Sequence, residues 1–348
     1  MPESLKESIN ATKVSYANLG SSGLRLSVPI LGAMSFGSNS WMKWVESDEA
    51  AAMELLKAAY DRGLNSWDTA NVYSNGTSEE IIGKALKKYS IPRHKVIILS
   101  KCFGTVGETP DVVHIRYPQM RDTRDYVNQG GLSRAAIFNA VDASLSRLQT
   151  DYIDVLQIHR YDKRTPEAET MRALHDLVQA GKVRYIGASS MWAYQFQRLQ
   201  YVAEKNGWTK FVSMQNQYSL CYREEEREMN PFCAESGVGL IPWAPLYRGH
   251  LARPLDAEQT ERGKTTAPLS DVDKAIIGRV EEVAKKRGWS MGTVALAWTI
   301  AKGANPIVGI SSIKRLDETI EVTGKSLTEE EIKYLEEPYK PRAILGHS

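Results

Sequence analysis

The sequence of 348 residues predicts an α/β protein that folds as a (β/α)8 TIM barrel. Eight short apolar runs recur along the chain, and each is followed by at least one amphipathic helical segment. The runs do not alternate apolar and polar residues, which is typical of parallel strands buried on both faces. An open, doubly wound sheet is the alternative, but its G-x-G-x-x-G turn is absent from the sequence. The barrel interpretation makes residues 1–348 a single domain.

The N-terminal segment is predicted to lie outside the barrel. Residues 1–14 are polar and are expected to form a flexible arm. Two apolar pieces between Tyr16 and Val28 flank a Gly-Ser-Ser-Gly turn, which indicates a β-hairpin. The first barrel strand is predicted at 29–32, and Ser47 is expected to cap the helix that follows it.

The βα unit then repeats to the end of the chain. Further strands are predicted at 64–68, 96–101, 152–159, 183–189, 211–215, 238–243 and 306–310. Helices are predicted at 77–89, from 133, and at 165–181, 192–205, 224–236, 271–288, 290–303, 315–323 and 328–339. Thr77-Ser78-Glu79-Glu80 matches a capping box. Two long loops, 103–132 and 246–270, are expected on the active-site side of the barrel; a surface insertion is the alternative for the first.

Composition narrows the classes of function. The formal net charge is +2, which does not favour binding to nucleic acid or to an anionic membrane. The first residues lack the apolar segment of a secretory signal, and no run approaches the length of a membrane span. Three cysteines without C-x-x-C spacing indicate reduced thiols, with no disulfide framework and no metal site. A cytoplasmic protein, monomeric or weakly homo-oligomeric, is expected.

Titratable residues end three of the predicted strands. Asp68, Lys101 and His159 stand at strand ends, and Tyr73 follows Asp68 by five residues. The carboxyl ends of the strands carry the active site in such barrels, so we expect these four side chains to converge. A lysine held by an aspartate stabilises a neighbouring tyrosinate, which predicts a proton-transfer site. Taken alone, such an aspartate is more often a helix cap, such a lysine is usually solvated, and such a histidine is more often a structural residue; their combination at matching strand ends favours the functional interpretation.

Six motifs in order show what the chain resembles. They are 67–73 (Trp-Asp-Thr-Ala-Asn-Val-Tyr), Lys101, Gln157-Ile158-His159, 181–190, Met214-Gln215-Asn216 and 306–312. From about residue 16 to 340 the chain resembles the aldo-keto reductases, which are NAD(P)H-dependent carbonyl reductases on a (β/α)8 barrel. Within that family it is most similar to the fungal aryl-alcohol-dehydrogenase-like branch, which is related to the potassium-channel β-subunits.

The resemblance implies a role for each matching residue. Tyr73 would be the general acid, Lys101 paired with Asp68 would tune it, and His159 would orient the carbonyl. The cofactor NADPH/NADP+ would be held by Gly32, Met34, Asp68, Ser189, Ser190, Gln215, Trp243, Ala244, Leu246, Gly249, Ile310, Ser311, Arg315, Glu318 and Thr319. The substrate pocket would include Trp41, Tyr73, His159, Trp192 and Tyr247.

The expected function is NADPH-dependent reduction of an aldehyde or ketone, such as an aryl aldehyde or a secondary-metabolite intermediate. Ala244 and Thr319 depart from the family pattern, which has a serine and an asparagine there. NADPH is favoured over NADH because Ser311 and Arg315 can bind a 2′-phosphate. A cofactor-binding sensor with little turnover is the alternative, and the presence of His159 argues for the enzyme.

Overall fold

A computed structural model describes residues 1–258, 260–264 and 268–347 and has the predicted barrel. An antiparallel hairpin, β1 (Ser15–Asn18) and β2 (Arg25–Val28), precedes the barrel. The barrel strands are β3 (Ile30–Gly32), β4 (Ser66–Asp68), β5 (Ile97–Cys102), β6 (Ile153–Ile158), β7 (Val183–Ser189), β8 (Ser213–Gln215), β9 (Gly239–Leu240) and β10 (Ile307–Gly309). They are parallel, in the order β10-β3-β4-β5-β6-β7-β8-β9. The ring closes between β9 and β10, where Asn305 N–H donates to the Leu240 carbonyl over 2.8 Å.

Helices cover the outside of this ring. They are α1 (Glu3–Ala11), α2 (Glu49–Asp61), α3 (Thr77–Lys88), α4 (Arg134–Leu148), α5 (Glu167–Gln179), α6 (Ala193–Asn206), α7 (Met229–Ser236), α8 (Glu261–Lys264), α9 (Asp271–Arg287), α10 (Met291–Ala301), α11 (Ile313–Ile320) and α12 (Glu329–Glu336). The helices that alternate with the barrel strands pack their apolar stripes on them, whereas α1 has no buried side chain. In α4, Ile137, Val141 and Leu148 are buried at helical spacing, and the Ser133 hydroxyl accepts from Ala136 N–H at the N-cap.

The strands are buried on both faces, as expected for a parallel sheet. Every residue of β6 is buried, and so is every residue of β4 and β8. One face of each strand contacts the helices, and the other fills the barrel interior. The strand ends are therefore rigid positions from which side chains can be held at the C-terminal face.

Residues 3–11 of the expected flexible arm form α1, none of whose side chains is buried. Two predictions about the helices are wrong. Asp48, not Ser47, caps α2, because its carboxylate accepts from Ala51 N–H. The predicted helix 224–236 is split into a 3₁₀ turn at 224–227 and α7, with non-helical backbone at Glu228.

The capping box predicted at Thr77 is also wrong. Gly76 precedes α3 with a left-handed backbone, and Thr77 instead donates its hydroxyl to the Ser74 carbonyl. The helix therefore begins one residue earlier than the box required, and its N-cap, Gly76, has no side chain that could accept a capping bond. The buried Glu79 carboxylate accepts from Arg147 Nε over 2.8 Å, which ties the first turn of α3 to α4.

The two long loops have ordered pieces. Residues 118–122 form a 3₁₀ turn within 103–132, and Val113 and Met120 are buried there. The second loop, 246–270, contains a 3₁₀ segment at 247–252 and the short α8. Its residues 259 and 265–267 lie outside the described part of the chain. The three cysteines are free thiols, and all are buried.

No helix within the described residues is long and apolar enough to span a membrane.

Candidate active site

Asp68, Lys101 and Tyr73 meet at the C-terminal ends of β4 and β5. The Lys101 ammonium donates to Asp68 Oδ1 over 2.6 Å, to the Thr69 carbonyl over 2.8 Å and to the Tyr73 hydroxyl over 3.2 Å. All three donor positions of the ammonium are therefore used. The chain after β4 stays paired with β5, since Thr69 N–H donates to the Leu99 carbonyl, and this fixes the loop that carries Tyr73.

The charge on Lys101 is maintained although its side chain is fully buried. Burial lowers the pKa of Lys101, but the Asp68 carboxylate and the Tyr73 hydroxyl raise it, and the net pKa lies above the ordinary lysine value. The site thus holds a permanent cation 3.2 Å from a phenol oxygen. Such a cation stabilises negative charge that develops on that oxygen.

A residue that was not predicted as a site residue holds the other oxygen of Asp68. Gln157 Nε2 donates to Asp68 Oδ2 over 3.0 Å, and Gln215 Nε2 donates to the same oxygen over 2.8 Å. Gln215 also donates to Gln157 Oε1 over 2.8 Å. Gln157 lies two positions before His159, so strand alternation places both on one face, and this signal could have identified it.

His159 lies beside the tyrosine. The His159 ring is 5.9 Å from the Tyr73 ring in an edge-on arrangement. The backbone N–H of His159 donates to the Cys102 carbonyl, and this bond extends the pairing of β5 and β6. Burial lowers the pKa of His159 well below its usual value, and the neighbouring cations Arg160 and Lys101 lower it further. The imidazole is therefore neutral at neutral pH and has one N–H donor and one acceptor nitrogen.

The turn after Tyr73 has an unusual backbone. Ser74 and Asn75 both adopt left-handed conformations, with φ of 48° and 50°. Asn75 Nδ2 donates to the Thr109 and Val112 carbonyls, and this ties the turn to the 103–132 loop. The Gly37 backbone lies so close to this turn that a Cβ added to Gly37 would be 2.2 Å from the Ser74 hydroxyl. Such strain at a strand end is often found at functional sites.

Aromatic residues line the mouth around Tyr73. The Trp41 ring is 6.2 Å from the Tyr73 ring, and the Trp44 ring is 6.2 Å from Trp41. The 103–132 loop contacts this wall, because Arg116 donates to the Trp41 carbonyl over 2.9 Å. This part of the predicted pocket, with Trp41, Tyr73 and His159, is contiguous.

The other two predicted pocket residues contact the C-terminal tail instead. The Trp192 ring lies 4.9 Å from the His347 ring, and the Tyr247 hydroxyl accepts from Arg342 Nη1 over 2.8 Å. Arg342 also donates to Asp273 over 2.8 Å. Sequence patterns could not predict this, because the tail has no periodic pattern and is held by long-range polar contacts.

Ser189, Ser190 and Trp243 form the neighbouring side of the barrel mouth. Trp243 Nε1 donates to the Ser190 hydroxyl over 3.1 Å, and Ser189 Oγ donates to the Gln215 carbonyl over 2.6 Å. A Cβ added to Gly346 of the tail would lie 3.5 Å from the Trp243 ring and 3.8 Å from Ser190 Oγ. The tail therefore lies directly against the residues predicted to hold a nicotinamide.

The remaining predicted cofactor residues follow three strands at the same face, and Arg315, Glu318 and Thr319 among them lie in α11. Gly32 and Met34 end and follow β3, Ala244, Leu246 and Gly249 follow β9, and Ile310, Ser311, Arg315, Glu318 and Thr319 follow β10. Ala244 and Gly249 have left-handed backbones. Arg315 pairs with Glu318 over 2.7 Å, whereas Asp317 is turned away from Arg315 and pairs with Arg62 over 2.7 Å.

Arginine side chains are close together on the side of the mouth that follows β9 and β10. Burial lowers the pKa of Arg253, and the nearby Arg315 guanidinium lowers it further, which shows that the two arginines lie within electrostatic range. Arg248 and Arg253 line one cleft together with Gly249 and His250. A cluster of guanidinium groups beside the amino terminus of α11 has the chemistry that phosphate groups require.

The barrel and its strand-end site define the class of protein to which the chain belongs. Residues 30–340 match the model of the aldo/keto reductase family. The chain is 54% identical to the aldo-keto reductase dtxS3 of Metarhizium robertsii, covering 100% of this chain and 97% of that protein. The chain is a member of the aldo-keto reductase family and is an oxidoreductase.

Two further relatives refine the branch. The versiconal hemiacetal acetate reductase of Aspergillus parasiticus is 52% identical, over 94% of this chain and 98% of that protein. A Schizosaccharomyces pombe protein provisionally named as an aryl-alcohol dehydrogenase is 53% identical, over 95% of this chain and 97% of that protein. The resemblance to the aryl-alcohol-dehydrogenase-like branch is thus confirmed.

Proposed function

We propose that this protein reduces an aldehyde or ketone to an alcohol with NADPH, and that Tyr73 is the proton donor. The observation that carries the proposal is the three-way contact of Lys101 with Asp68, the Thr69 carbonyl and the Tyr73 hydroxyl. The Tyr73 proton is transferred to the carbonyl oxygen, and the fixed ammonium stabilises the tyrosinate that remains. Asp68, with Gln157 and Gln215 on its second oxygen, positions the lysine.

His159 would orient the substrate. Because its pKa is lowered by burial and by nearby cations, the imidazole is neutral and can donate one hydrogen bond to the carbonyl oxygen without a competing charge. Its ring contacts the Tyr73 ring edge-on, so the two donor side chains are neighbours in the mouth. A carbonyl oxygen bound there is polarised by two hydrogen-bond donors before proton transfer.

The residues at the loop side fit a dinucleotide phosphate. When bound, a nicotinamide cofactor supplies a hydride to the carbonyl carbon. Ser189, Ser190, Gln215 and Trp243 would hold its nicotinamide end, and Arg315 with Ser311 would hold the 2′-phosphate that distinguishes NADPH. Asp317, an acidic candidate for binding a ribose 2′-hydroxyl, pairs instead with Arg62, which supports NADPH over NADH.

A direct test is the consumption of NADPH with a panel of aromatic and aliphatic aldehydes and ketones. We expect turnover on several members, and much slower consumption with NADH. Tight NADPH binding measured by fluorescence, together with no turnover on any member, would instead indicate a cofactor-binding regulatory protein. Alcohol oxidation with NADP+ measures the reverse direction in the same assay.

A further inference from the structure

One partly buried arginine on the substrate side of the active-site mouth has no acidic partner among the residues that the structure describes. Arg160 follows His159 directly, and its Nη1 donates to the His159 carbonyl over 2.5 Å. Within residues 1–258, 260–264 and 268–347, no carboxylate oxygen lies within 4.0 Å of its guanidinium. The positive charge is thus held beside the candidate proton donors without an acidic partner.

Several partly buried arginines elsewhere in the described part of the chain are paired, although Arg253 on the phosphate side is not. Arg93 contacts Asp154 over 2.6 Å, Arg147 contacts Glu79 over 2.8 Å, and Arg223 contacts Glu226 over 2.7 Å. Pairing is the expected outcome, since taking an unpaired charge out of water is costly. The absence of a described partner at Arg160 therefore suggests that its partner is a ligand.

Position in the barrel separates Arg160 from the cofactor phosphates. It follows β6, whereas Arg315 follows β10, and these two strands lie opposite each other in the ring of eight. Arg160 is instead within electrostatic range of Tyr73, whose hydroxyl favours the charged form of the arginine. The missing anion thus belongs on the substrate side.

Other cations reinforce this charge. Arg116 is anchored on the Trp41 carbonyl over 2.9 Å, and no carboxylate of the described residues forms an ion pair with it. The Arg262 guanidinium lies 4.5 Å from the centre of the Trp44 ring. The aromatic wall of the mouth is therefore flanked by guanidinium groups from three loops.

We propose that the substrate is a carbonyl compound that carries a carboxylate close to the carbonyl group, and that Arg160 binds this carboxylate. This inference rests on the proposed carbonyl reduction. A planar guanidinium adjacent to His159 can receive a carboxylate oxygen while His159 and Tyr73 contact the carbonyl oxygen. Two sources fit this chemistry: an aliphatic 2-oxo acid, and an aromatic aldehyde with a ring carboxylate.

The experiment compares each acid with its neutral counterpart. The pairs are a branched 2-oxo acid and its methyl ester, and 2-carboxybenzaldehyde and methyl 2-formylbenzoate. For the wild type, kcat/KM should favour the acid in at least one pair, and that pair identifies the source. In Arg160→Gln this acid-to-ester ratio should fall about ten- to a hundredfold, the usual loss for a charged hydrogen bond. Arg160→Lys should keep an intermediate ratio, because the charge remains.

Arg172→Gln, on the exposed side of α5, is the matched control and should keep the wild-type ratio. A purely positioning role for Arg160, through the lowered pKa of His159, would reduce acid and ester equally and would overturn the inference. A wild type that reduces the esters at least as well as the acids would overturn it too, with carbonyl reduction intact. If neither the acids nor the esters are reduced while other aldehydes or ketones of the panel are, the inference fails and the proposed function stands; if no carbonyl compound is reduced at all, the proposed function itself fails.

Discussion

Two parts of the barrel mouth differ in how completely their polar groups are satisfied. At the Lys101 cluster, which comprises Asp68, Tyr73, Lys101, Gln157 and Gln215, every lysine donor and both aspartate oxygens have partners in the chain. At the phosphate-side cluster, which comprises Arg248, Arg253 and Arg315, cations lie near one another. Among the residues that the structure describes, Arg315 forms an ion pair with its helix neighbour Glu318 and with no other carboxylate.

The difference indicates what each part is built to do. A network whose partners are all protein groups is rigid before any ligand arrives, as an electrostatic site for proton transfer requires. Clustered guanidinium groups repel one another, so binding of an anion relieves that repulsion and forms new bonds. Substitutions in the first cluster should therefore change turnover, and those in the second should change affinity.

The largest effect is expected for Tyr73→Phe. The change removes one hydroxyl and leaves the ring between Trp41 and His159, so kcat should fall by about two to four orders of magnitude. The Kd for NADPH, from fluorescence titration, should stay within about twofold. Turnover equal to the wild type would exclude Tyr73 as the proton donor.

Lys101→Met should be next in size. It leaves the buried Asp68 carboxylate without its cation, and loss of one partner of a buried pair costs about 3–5 kcal/mol in the free energy of unfolding. We expect a lower kcat, a pH profile of kcat displaced to higher pH, and a lower midpoint of urea unfolding. Lys84→Met removes the half-exposed Lys84–Glu49 pair and is the control, with a change below about 1 kcal/mol.

The same comparison shows why sequence patterns predicted some contacts and missed others. The barrel, the hairpin and the strand-end positions of Asp68, Lys101 and His159 follow from short apolar runs and the turns between them. Gln157 was missed because a glutamine inside a strand carries no charge signal. The tail contacts of Trp192 and Tyr247 depend on Arg342 and His347, which are about 95 to 155 residues away in sequence. Local patterns cannot encode such long-range packing.

Arg315→Ala tests whether the phosphate-side cluster determines the affinity for the cofactor. If Arg315 binds the 2′-phosphate, the Kd for NADPH should rise about ten- to a hundredfold and the Kd for NADH should hardly change. Arg172→Ala is the matched control, because Arg172 pairs with Asp176 on the exposed side of α5. Equal losses for both cofactors, or a wild type that prefers NADH, would contradict this assignment.

The smallest effect concerns the pH dependence of stability, and it tests whether His159 belongs to the rigid part of the mouth. Burial and the cations Arg160 and Lys101 lower the pKa of His159 in the folded protein, whereas an unfolded histidine titrates near about 6.5. Below that pH the unfolded chain binds a proton that the folded protein does not, so the stability falls as the pH falls. The loss from this residue should reach about 2 kcal/mol at pH 5.

Urea unfolding of the wild type and of His159→Gln at pH 7.5 and pH 5 measures this contribution. The variant lacks the titrating group, so its stability should decrease less between the two pH values than that of the wild type. His94→Gln, at an exposed position before β5, should behave as the wild type. The pKa of His114 is also lowered, by burial and by Arg160, so part of the acid sensitivity should remain in His159→Gln. An unchanged difference between the two pH values would mean that His159 can be protonated in the folded protein, and the neutral hydrogen-bond donor proposed for the carbonyl would have to be replaced by an imidazolium.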